Sequence, residues 1–502
     1  MNKCNDIIRD ARLTVQQKTS ALALAAENSV DALNIPPAVQ ELRAAGIICD
    51  LGEGDAPFRP RYAIPDYDSF IARGSSFLEL DPPEDLHDAL NSLLILYKHV
   101  PSITTCPVFV GNLDRLLNPF IEDETTAYKA IKRFLLHIDR ALPDSFCHGN
   151  LGPRDSAAGR LILRAQRELQ TAVPNLTLKY SLHTEDAFAL QAIETALATA
   201  KPSFANDELF RRDFGGDYAI ASCYNGLPLG GGSYTLVRLN LARLARDAKD
   251  YALFRESVLP TAVAHMLAYM DERVRFLVEE SNFFASNFLV KEGLLQKERF
   301  TAMFGIVGLA ECVNSLRGNP TEVSERYGHS LPANELGQDI VREISKLVRE
   351  HSNEHLHFSH GHYMLHAQVG IDTDVATSPG CRIPIGEEPE LYQHLLQSAP
   401  FHRFFPAGIG DVFAFDATVK NNPQFVLDII KGAFKNGLRY FSAYSSDSDV
   451  VRITGYLVKK SDMGKLTAGQ QVRNGAVFLG QGSVANQGVL KRKLRTGQVE
   501  RH

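Results

Sequence analysis

Helix-type and strand-type patterns alternate along the whole chain, and no linker is long enough to divide it into separate units. Apolar residues recur at three- and four-residue spacing in most of the chain, which predicts amphipathic helices. These helical regions are 1–45, 84–141, 155–173 (begun by an Asp or Ser cap), 185–200 and most of 241–310. A Pro- and Gly-rich stretch at 50–72 predicts a loop, and 174–182 is a β-type run. The alternation favours one large α/β unit, a barrel being one form of it.

The overall composition excludes several classes of protein. Apolar residues make up 44% and charged residues 22% of the 502 positions, which excludes disordered, collagen-like and coiled-coil chains. The net charge of −6 argues against bulk nucleic-acid binding, which needs a basic surface. No stretch approaches the roughly 20 apolar residues of a membrane span, and the start lacks the apolar region of a secretory signal. We therefore expect a cytoplasmic protein with neither nucleic acid nor membrane as a partner.

The cysteines are spread far apart, and no C-x-x-C pair occurs. This spacing excludes the common zinc-ribbon and thioredoxin motifs, and thiols in a reducing compartment stay free. Most of them are expected to be small core residues, so a functional cysteine has to be chosen by its sequence context. The seven are Cys4, Cys49, Cys106, Cys147, Cys223, Cys312 and Cys381.

One glycine near the C-terminus stands in a distinctive context. Residues 450–459 read VVRITGYLVK, and a glycine inside such a run usually marks a bulge or the close approach of another backbone. Glycine also has a chemical property, because its Cα can hold an unpaired electron between an electron-donating amide nitrogen and an electron-withdrawing carbonyl. The order Arg452-x-x-Gly455-Tyr456 resembles the glycyl radical motif, which makes Gly455 the candidate radical site.

A second set of motifs, upstream, carries the same resemblance. Residues 174–223 run PNLTLKYS … KPSFANDELFRRDFGGDYAIASC and closely resemble pyruvate formate-lyase in the order and spacing of several short words. TSPGCRIPIG at 377–386 is similar to that family's Thr-Pro-x-Gly-Arg loop, although Cys381 interrupts it. The resemblance is good over roughly 170–455 and weak over the first 150 residues. Because the chain is shorter than most members, it resembles the short YjjI-type branch of the glycyl radical enzymes.

The resemblance implies a fold and a division of the chain. The implied fold is a ten-stranded α/β barrel of two half-sheets that enclose a central cysteine loop and a central glycine loop. Residues 1–400 would form the barrel with its cysteine loop, and 401–502 the glycine radical region. Cys223 would be the thiyl site and Gly455 the radical store.

The resemblance also implies the partners and the working conditions. A radical S-adenosylmethionine activase with an iron–sulfur cluster would install the radical on Gly455 after synthesis, and the resting protein would hold no bound cofactor. Function would be restricted to anaerobic conditions, and a homodimer is expected from the family.

Two departures from the family patterns narrow the range of possible reactions. Ser222 stands where pyruvate formate-lyase has its acyl-accepting cysteine, and a serine hydroxyl is a poor nucleophile without an adjacent base. Asn225 stands where the radical dehydratases have a glutamate. Segments 235–245 and 303–315 are similar to the anaerobic ribonucleotide reductases, but their paired C-x-x-C zinc site is absent. We expect hydrogen abstraction followed by another cleavage or rearrangement of C–C or C–O bonds.

The expected substrate contacts are Ser222 and Arg238. Arg238 matches the Arg-x-Asn-Leu-Ala motif of pyruvate formate-lyase, whose arginine holds the substrate carboxylate, and a guanidinium binds two oxygens at once. The presence of Arg238 predicts a small anionic or polyhydroxylated substrate. The alternative is that Arg238 pairs with a buried acid instead of the substrate. Cys312, which follows Glu311 in a helical context, is expected in the core and is the second candidate for the thiyl site.

A dense histidine cluster at 350–368 allows three interpretations. Imidazoles at such spacings hydrogen-bond, relay protons near neutral pH or bind metal, and no H-E-x-x-H motif specifies a geometry. His357 and His360 are the candidates for proton transfer, and no metal is expected. The cluster comprises His351, His355, His357, His360, His362 and His366.

Two other functions remain open from the sequence. One is a radical-free α/β enzyme that uses the histidine cluster for acid–base chemistry, and it predicts activity in air without an activase. The other is an inactive barrel that serves as a binding or regulatory subunit, and it predicts no radical even with a competent activase.

Overall fold

The computed structural model describes residues 3–104, 107–142, 144–246, 248, 250–367 and 370–497. Cys106 lies outside this part of the chain. Among the described cysteines, free thiols are found at Cys49, Cys147, Cys223, Cys312 and Cys381, as expected. The strands are β1 (Ile48–Cys49), β2 (Tyr62–Ile64), β3 (His148–Leu151), β4 (Asn175–Tyr180), β5 (Ser203–Asn206), β6 (Tyr218–Ala221), β7 (Asn225–Pro228), β8 (Gly231–Asn240), β9 (Phe300–Val307), β10 (Met364–Ala367), β11 (Asp411–Phe415), β12 (Tyr440–Ser445), β13 (Val450–Arg452), β14 (Leu457–Lys459) and β15 (Leu494–Arg495).

The helices lie between these strands and at both ends of the chain. They are α1 (Lys3–Arg9), α2 (Val15–Glu27), α3 (Pro37–Ala44), α4 (Tyr67–Arg73), α5 (Leu86–Tyr97), α6 (Leu113–Leu117), α7 (Glu124–Ala141), α8 (Ala157–Leu169), α9 (Asp186–Thr199), α10 (Asp207–Phe214), α11 (Leu241–Leu244), α12 (Tyr251–Leu253), α13 (Leu259–Arg275), α14 (Phe283–Ser286), α15 (Phe288–Lys291), α16 (Leu309–Leu316), α17 (Leu331–Glu350), α18 (Leu391–His402), α19 (Pro423–Lys435), α20 (Lys460–Thr467) and α21 (Ala476–Gln487). Among them, none is both long and apolar enough to cross a membrane.

Most strands belong to two sheets. The five-stranded sheet has the order β1-β8-β9-β10, with β2 also paired to β8, and its β8, β9 and β10 run parallel. The six-stranded sheet has the order β15-β11-β12-β5-β4-β3, with β5 and β12 antiparallel at its centre. Every residue of β4, β8 and β9 is buried, as is typical of parallel strands covered on both faces.

Two short hairpins lie outside these sheets. The cysteine hairpin (residues 218–228) pairs β6 with β7, and Ser222 at its turn has a left-handed φ of 59°, which is uncommon for a residue with a side chain. The glycine hairpin (residues 450–459) pairs β13 with β14 around a turn of four residues. The predicted α/β fold of two half-sheets with separate cysteine and glycine segments is confirmed. The two described sheets have five and six strands, eleven in all, where a barrel of ten was expected.

The sequence predictions of single elements are confirmed with two exceptions. Residues 300–307 were included in a helical region but form strand β9, because a continuous apolar run fits a buried strand as well as a buried helix. The region 50–72, predicted as loop, contains β2 and most of α4. The predicted serine cap of 155–173 is present, since Ser156 accepts a hydrogen bond from the Gly159 amide.

The proposed boundary at residue 400 falls inside α18. Strands β11 and β12, which follow it, pair with each other, and β12 also pairs with β5. The regions 1–400 and 401–502 therefore share one sheet. The boundary divides the sequence and does not divide this sheet.

Candidate active site

The cysteine hairpin is held at its turn by backbone contacts. The Ser222 amide donates to the Val108 carbonyl at 3.1 Å, and the Tyr440 hydroxyl donates to the Cys223 carbonyl at 2.9 Å. The Cys223 residue is only 2% exposed. The turn is thus fixed on both sides, so the position of the thiol is set by the surrounding structure.

The Cys223 thiol keeps its hydrogen at neutral pH. Burial raises the pKa of this thiol to about 11, because the charged thiolate loses its solvation. The S–H donates to Oδ1 of Asn225 at 3.3 Å. Such a thiol is a poor nucleophile but a source of a hydrogen atom, since nucleophilic cysteines have lowered pKa values.

A histidine of the predicted cluster reaches this thiol through Asn225. The His366 Nε2 lies 2.6 Å from the same Oδ1 of Asn225, and burial lowers the pKa of His366 to about 3. The imidazole is therefore neutral, and its contact with an acceptor oxygen assigns the hydrogen to Nε2. Within the described structure, His366 Nδ1 and Asn225 Nδ2 are buried without a hydrogen-bond partner. An unpaired acceptor and an unpaired donor thus lie close to the thiol, an arrangement that is costly unless a water molecule or a ligand satisfies it.

The glycine hairpin is fixed by charged groups. The Gly455 carbonyl accepts from Asn175 Nδ2 at 3.2 Å and from Arg452 Nη1 at 3.2 Å. Arg492 donates to the carbonyls of Arg452, at 2.6 Å, and of Ile453. Two guanidinium groups therefore hold the backbone around the buried glycine.

The two hairpins meet at one buried imidazole. His148 Nδ1 lies 3.2 Å from the Ser222 carbonyl oxygen and 3.4 Å from Asn175 Nδ2, the same amide that contacts Gly455. Burial, with the nearby Arg452 charge, lowers the pKa of His148 to about 3, so the imidazole is neutral. Two side chains thus separate the backbone of the cysteine turn from the Gly455 carbonyl, and the structure brings the two predicted residues together.

A large cavity opens onto the cysteine turn. Its volume is about 1180 Å³, and Ser222 and Cys223 are among its lining residues, together with Arg61 and Tyr62. Helix α2, close to the N-terminus of the chain, also lines the cavity and has no buried residue. A small molecule entering this cavity can therefore reach the thiol.

The other predicted site residues have different surroundings. Arg238 is buried and donates to Asp374 at 2.6 Å, and it is not among the described residues that line the cavity. His357 and His360 are exposed and are not among the described residues that line the cavity, so their role in proton transfer stays a prediction. His366 is the member of the cluster that contacts Asn225, the partner of the Cys223 thiol. Cys312 is buried in α16, also without lining the cavity. The expected substrate contact of Arg238 stays a prediction.

Sequence reasoning missed several residues of the site. Asn175 and Thr177 belong to the PNLT motif, but their roles could not be inferred without their partners, His148 and Tyr440. Arg61 lies in the stretch predicted as loop, and no local signal marks it.

One group of side chains in the described structure could hold a metal ion. Glu279, Glu354 and His355 have potential ligand atoms within 4.8 Å of one another. Both glutamates are exposed, and none of the three lines the cavity with Cys223. This group contributes nothing to the candidate active site.

The fold is that of the glycyl radical enzymes. The structure is similar to the glycerol-bound form of the B12-independent glycerol dehydratase from Clostridium butyricum, with a TM-score of 0.67, 12% identity and coverage of 96% of this chain and 84% of that one. It is also similar to a Roseburia inulinivorans protein of 1,2-propanediol dehydration, with a TM-score of 0.68, 11% identity and coverage of 96% and 86%. A third similar structure is the anaerobic ribonucleotide reductase from Thermotoga maritima, with a TM-score of 0.66, 12% identity and coverage of 92% and 93%.

The family is shown by sequence. The family model described as "Glycyl radical enzyme YjjI-like" matches residues 13–495, and the chain belongs to this family. Two relatives are an uncharacterized protein of Haemophilus influenzae, 45% identical, and the uncharacterized protein YjjI of Escherichia coli, 42% identical; each alignment covers 98% of this chain and 96% of the relative. Glycyl radical enzymes generally carry a radical installed after synthesis and generally need a radical S-adenosylmethionine activase.

Proposed function

We propose that this chain removes a hydrogen atom from a small substrate by means of Cys223, with Gly455 as the radical store. A radical S-adenosylmethionine activase with an iron–sulfur cluster installs the unpaired electron on the Gly455 Cα. That carbon takes the hydrogen atom of the Cys223 S–H, so a C–H bond forms, the S–H bond breaks and the electron moves to sulfur. The sulfur then takes a hydrogen atom from a substrate C–H bond and returns one to the product radical.

The observation that carries this proposal is the buried contact between the two hairpins. The Gly455 carbonyl and the Ser222 carbonyl both lie beside the Asn175–His148 pair, while the thiol of Cys223 faces the large cavity. The raised pKa of that thiol supports a role as a hydrogen-atom donor. Burial of Gly455 supports its role as the radical store, because burial keeps water and oxygen from a reactive species.

The surroundings of the thiol favour a small polyhydroxylated or anionic substrate. Asn225 Nδ2 and His366 Nδ1 lie behind the thiol and are not among the described residues that line the cavity. They offer one free donor and one free acceptor, which is the complement of a hydroxyl group. Arg61 lines the cavity and has a buried Nε without a partner among the described residues. We assign the anion contact to Arg61 because it lines the cavity, which Arg238 does not among the described residues. Both arginines are paired with a buried carboxylate, Arg61 with Glu53 at 2.9 Å and Arg238 with Asp374 at 2.6 Å.

The reaction itself is a cleavage or rearrangement of C–C or C–O bonds under anaerobic conditions. Ser222 in place of an acyl-accepting cysteine disfavours a formate-lyase. Asn225 cannot act as the base that a glutamate provides at this place in the radical dehydratases. We place the enzyme in the cytoplasm as a homodimer, by analogy with the family.

Anaerobic activation followed by electron paramagnetic resonance tests the proposal. The purified chain with a competent activase should give a glycyl radical doublet, and Gly455→Ala should give none. Cys223→Ser should keep the doublet but lose turnover in a screen of diols, sugar phosphates and 2-oxo acids. Cys312→Ser, which changes another buried cysteine, is the matched control and should keep both.

Two results would contradict the proposal and point to the alternatives. Turnover in air without any activase would indicate a radical-free enzyme. A chain that never carries a radical with a competent activase would indicate an inactive barrel that binds or regulates.

A further inference from the structure

A buried row of hydrogen bonds continues from the Asn175–His148 pair to the Cys223 backbone. His148 Nε2 lies 2.8 Å from Thr177 Oγ1, and Thr177 Oγ1 lies 2.8 Å from the Tyr440 hydroxyl. That hydroxyl donates to the Cys223 carbonyl at 2.9 Å. The side chains come from β3, β4 and β12 of the six-stranded sheet, and all are at most 1% exposed.

The orientation of the Asn175 amide is fixed by its neighbours. Its Oδ1 accepts from the Leu176 amide at 2.9 Å and from Arg452 Nη2 at 3.1 Å. Two donors on one atom identify that atom as the oxygen. The Nδ2 hydrogens therefore point at the Gly455 carbonyl and at His148 Nδ1.

The hydrogens of the row can be placed in one consistent direction. The Tyr440 hydrogen goes to the Cys223 carbonyl, so Tyr440 accepts from Thr177, and Thr177 accepts from His148 Nε2. His148 Nδ1 is then an acceptor for Asn175. This tautomer leaves one contact, that of His148 Nδ1 with the Ser222 carbonyl at 3.2 Å, without a hydrogen. The other tautomer, with the hydrogen on Nδ1, would satisfy that contact but leave both the Thr177–Tyr440 and the Asn175–His148 contacts without one.

We infer that Asn175, His148, Thr177 and Tyr440 form a directed hydrogen-bond chain that positions the Gly455 peptide against the Cys223 peptide for hydrogen-atom transfer. Each end of the chain holds a backbone carbonyl, one at Gly455 and one at Cys223. Because interiors are close-packed and buried hydrogen-bond networks rigidify their surroundings, the four residues fix the separation of the two hairpins. This inference rests on the proposed function and names positioning residues for it.

The transfer between the two residues can be measured without knowing the substrate. An unpaired electron on the Gly455 Cα couples to the one remaining α-hydrogen and splits the resonance signal into a doublet. Each transfer to Cys223 and back can replace that hydrogen by deuterium, because the thiol faces a cavity and exchanges with heavy water. The rate at which the doublet collapses to a singlet therefore reports the transfer.

Two variants interrupt the chain with small changes of shape. Tyr440→Phe removes the hydroxyl that contacts Cys223, and Thr177→Val removes the hydroxyl that joins His148 to Tyr440. Both variants should carry the same number of radicals per protein as the unmodified protein. In heavy water, however, their doublet should collapse at least about tenfold more slowly. Thr177→Ser keeps the hydroxyl and should restore the rate.

The matched control removes an equivalent hydroxyl elsewhere. Tyr327 is fully buried and donates to the Cys381 carbonyl at 2.6 Å, so Tyr327→Phe has a similar structural cost and should leave the collapse rate unchanged. Thermal unfolding of all variants shows whether they fold.

The outcomes separate this inference from the proposed function. Wild-type collapse rates in both Tyr440→Phe and Thr177→Val, with no collapse in Cys223→Ser, would overturn the positioning chain and leave the role of Cys223 intact. Rapid collapse in Cys223→Ser would instead refute Cys223 as the exchange partner. Loss of the radical itself in both chain variants, with normal folding, would also overturn the inference, since the chain would then serve radical installation.

Discussion

At the residue scale, burial decides which protonation states the site can hold. It keeps the Cys223 thiol protonated and the His148 and His366 imidazoles neutral. All three effects have one cause, the cost of a charge away from water. These protonation states favour the proposed transfer of a neutral hydrogen atom over nucleophilic attack.

The neutral state of His148 predicts how stability depends on pH. An unfolded histidine binds a proton below a pKa near 6.5, whereas folded His148 does not until about pH 3. The stability from this residue is therefore present above pH 6.5 and is lost as pH falls from 6.5 towards 3. The corresponding slope is about 1.4 kcal/mol per pH unit.

Urea unfolding at pH 7.5, 6.5, 5.5 and 4.5 measures this slope. His148→Gln should reduce the dependence of the unfolding free energy on pH below 6.5 by about that amount. His357→Gln, at an exposed position of the histidine cluster, should leave the dependence unchanged. Parallel pH profiles for the unmodified chain and His148→Gln would contradict the prediction.

Single residues were predictable where they lie in contiguous motifs. Gly455 and Cys223 could be chosen from short runs of sequence with a family resemblance. The partner of Asn175 is 27 residues away, and the partner of Thr177 is 263 residues away. Such pairs are created by strand pairing in the six-stranded sheet, which no local pattern encodes.

At the element scale, the sequence patterns predicted the amphipathic helices correctly but did not always predict the central strands. Helix α8 has an apolar face and a serine cap, and both signals predicted it. Strand β9 is buried along its whole length, so it lacks the alternation that identifies a half-exposed strand. Parallel pairing with β8 and β10 decides its conformation, which is a tertiary effect.

Helices α2 and α8 provide a prediction about local and global stability. Thr14 caps α2 in a reciprocal arrangement with Gln17, and removing such a cap costs about 1 kcal/mol. Because α2 has no buried residue, the loss should appear as local opening of the helix. Thr14→Ala should accelerate amide hydrogen exchange in α2 about fivefold and leave the melting temperature unchanged.

Ser156→Ala is the matched comparison, because it removes the cap of the largely buried helix α8. Loss of this cap should lower the melting temperature, since α8 belongs to the core. A fall in melting temperature for Thr14→Ala equal to that of Ser156→Ala would show that α2 is part of the cooperative core. It would also contradict the prediction that α2, beside the cavity, opens locally while the rest of the molecule stays folded.

At the scale of the whole molecule, the C-terminal region is built into the sheet that supports the site. Strand β12 pairs with β5 and provides Tyr440, and β15 at the end of the described chain pairs with β11. The glycine hairpin is buried along its length except at Lys459. An activase can reach the Gly455 Cα only after the hairpin moves outward, and such motions gate many enzymes.

Arg492 is one of the residues that resist this movement. It is almost fully buried and donates to the carbonyls of Arg452 and Ile453 on the hairpin. Hydrogen bonds from a charged donor contribute about 1.5–3 kcal/mol, and each 1.4 kcal/mol changes an equilibrium about tenfold. Arg492→Ala should therefore populate the open form at least about tenfold more and speed radical installation accordingly.

The time course of the glycyl radical signal after addition of activase measures this effect. The same variant should lose its signal faster on exposure to oxygen, because an open hairpin exposes the Gly455 Cα. Lys493→Ala is the control, as it removes a charge one residue away that pairs with Glu390 at the surface, where ion pairs contribute little. Installation that is slower in Arg492→Ala than in Lys493→Ala would mean that Arg492 helps to present the glycine rather than to hold it inside.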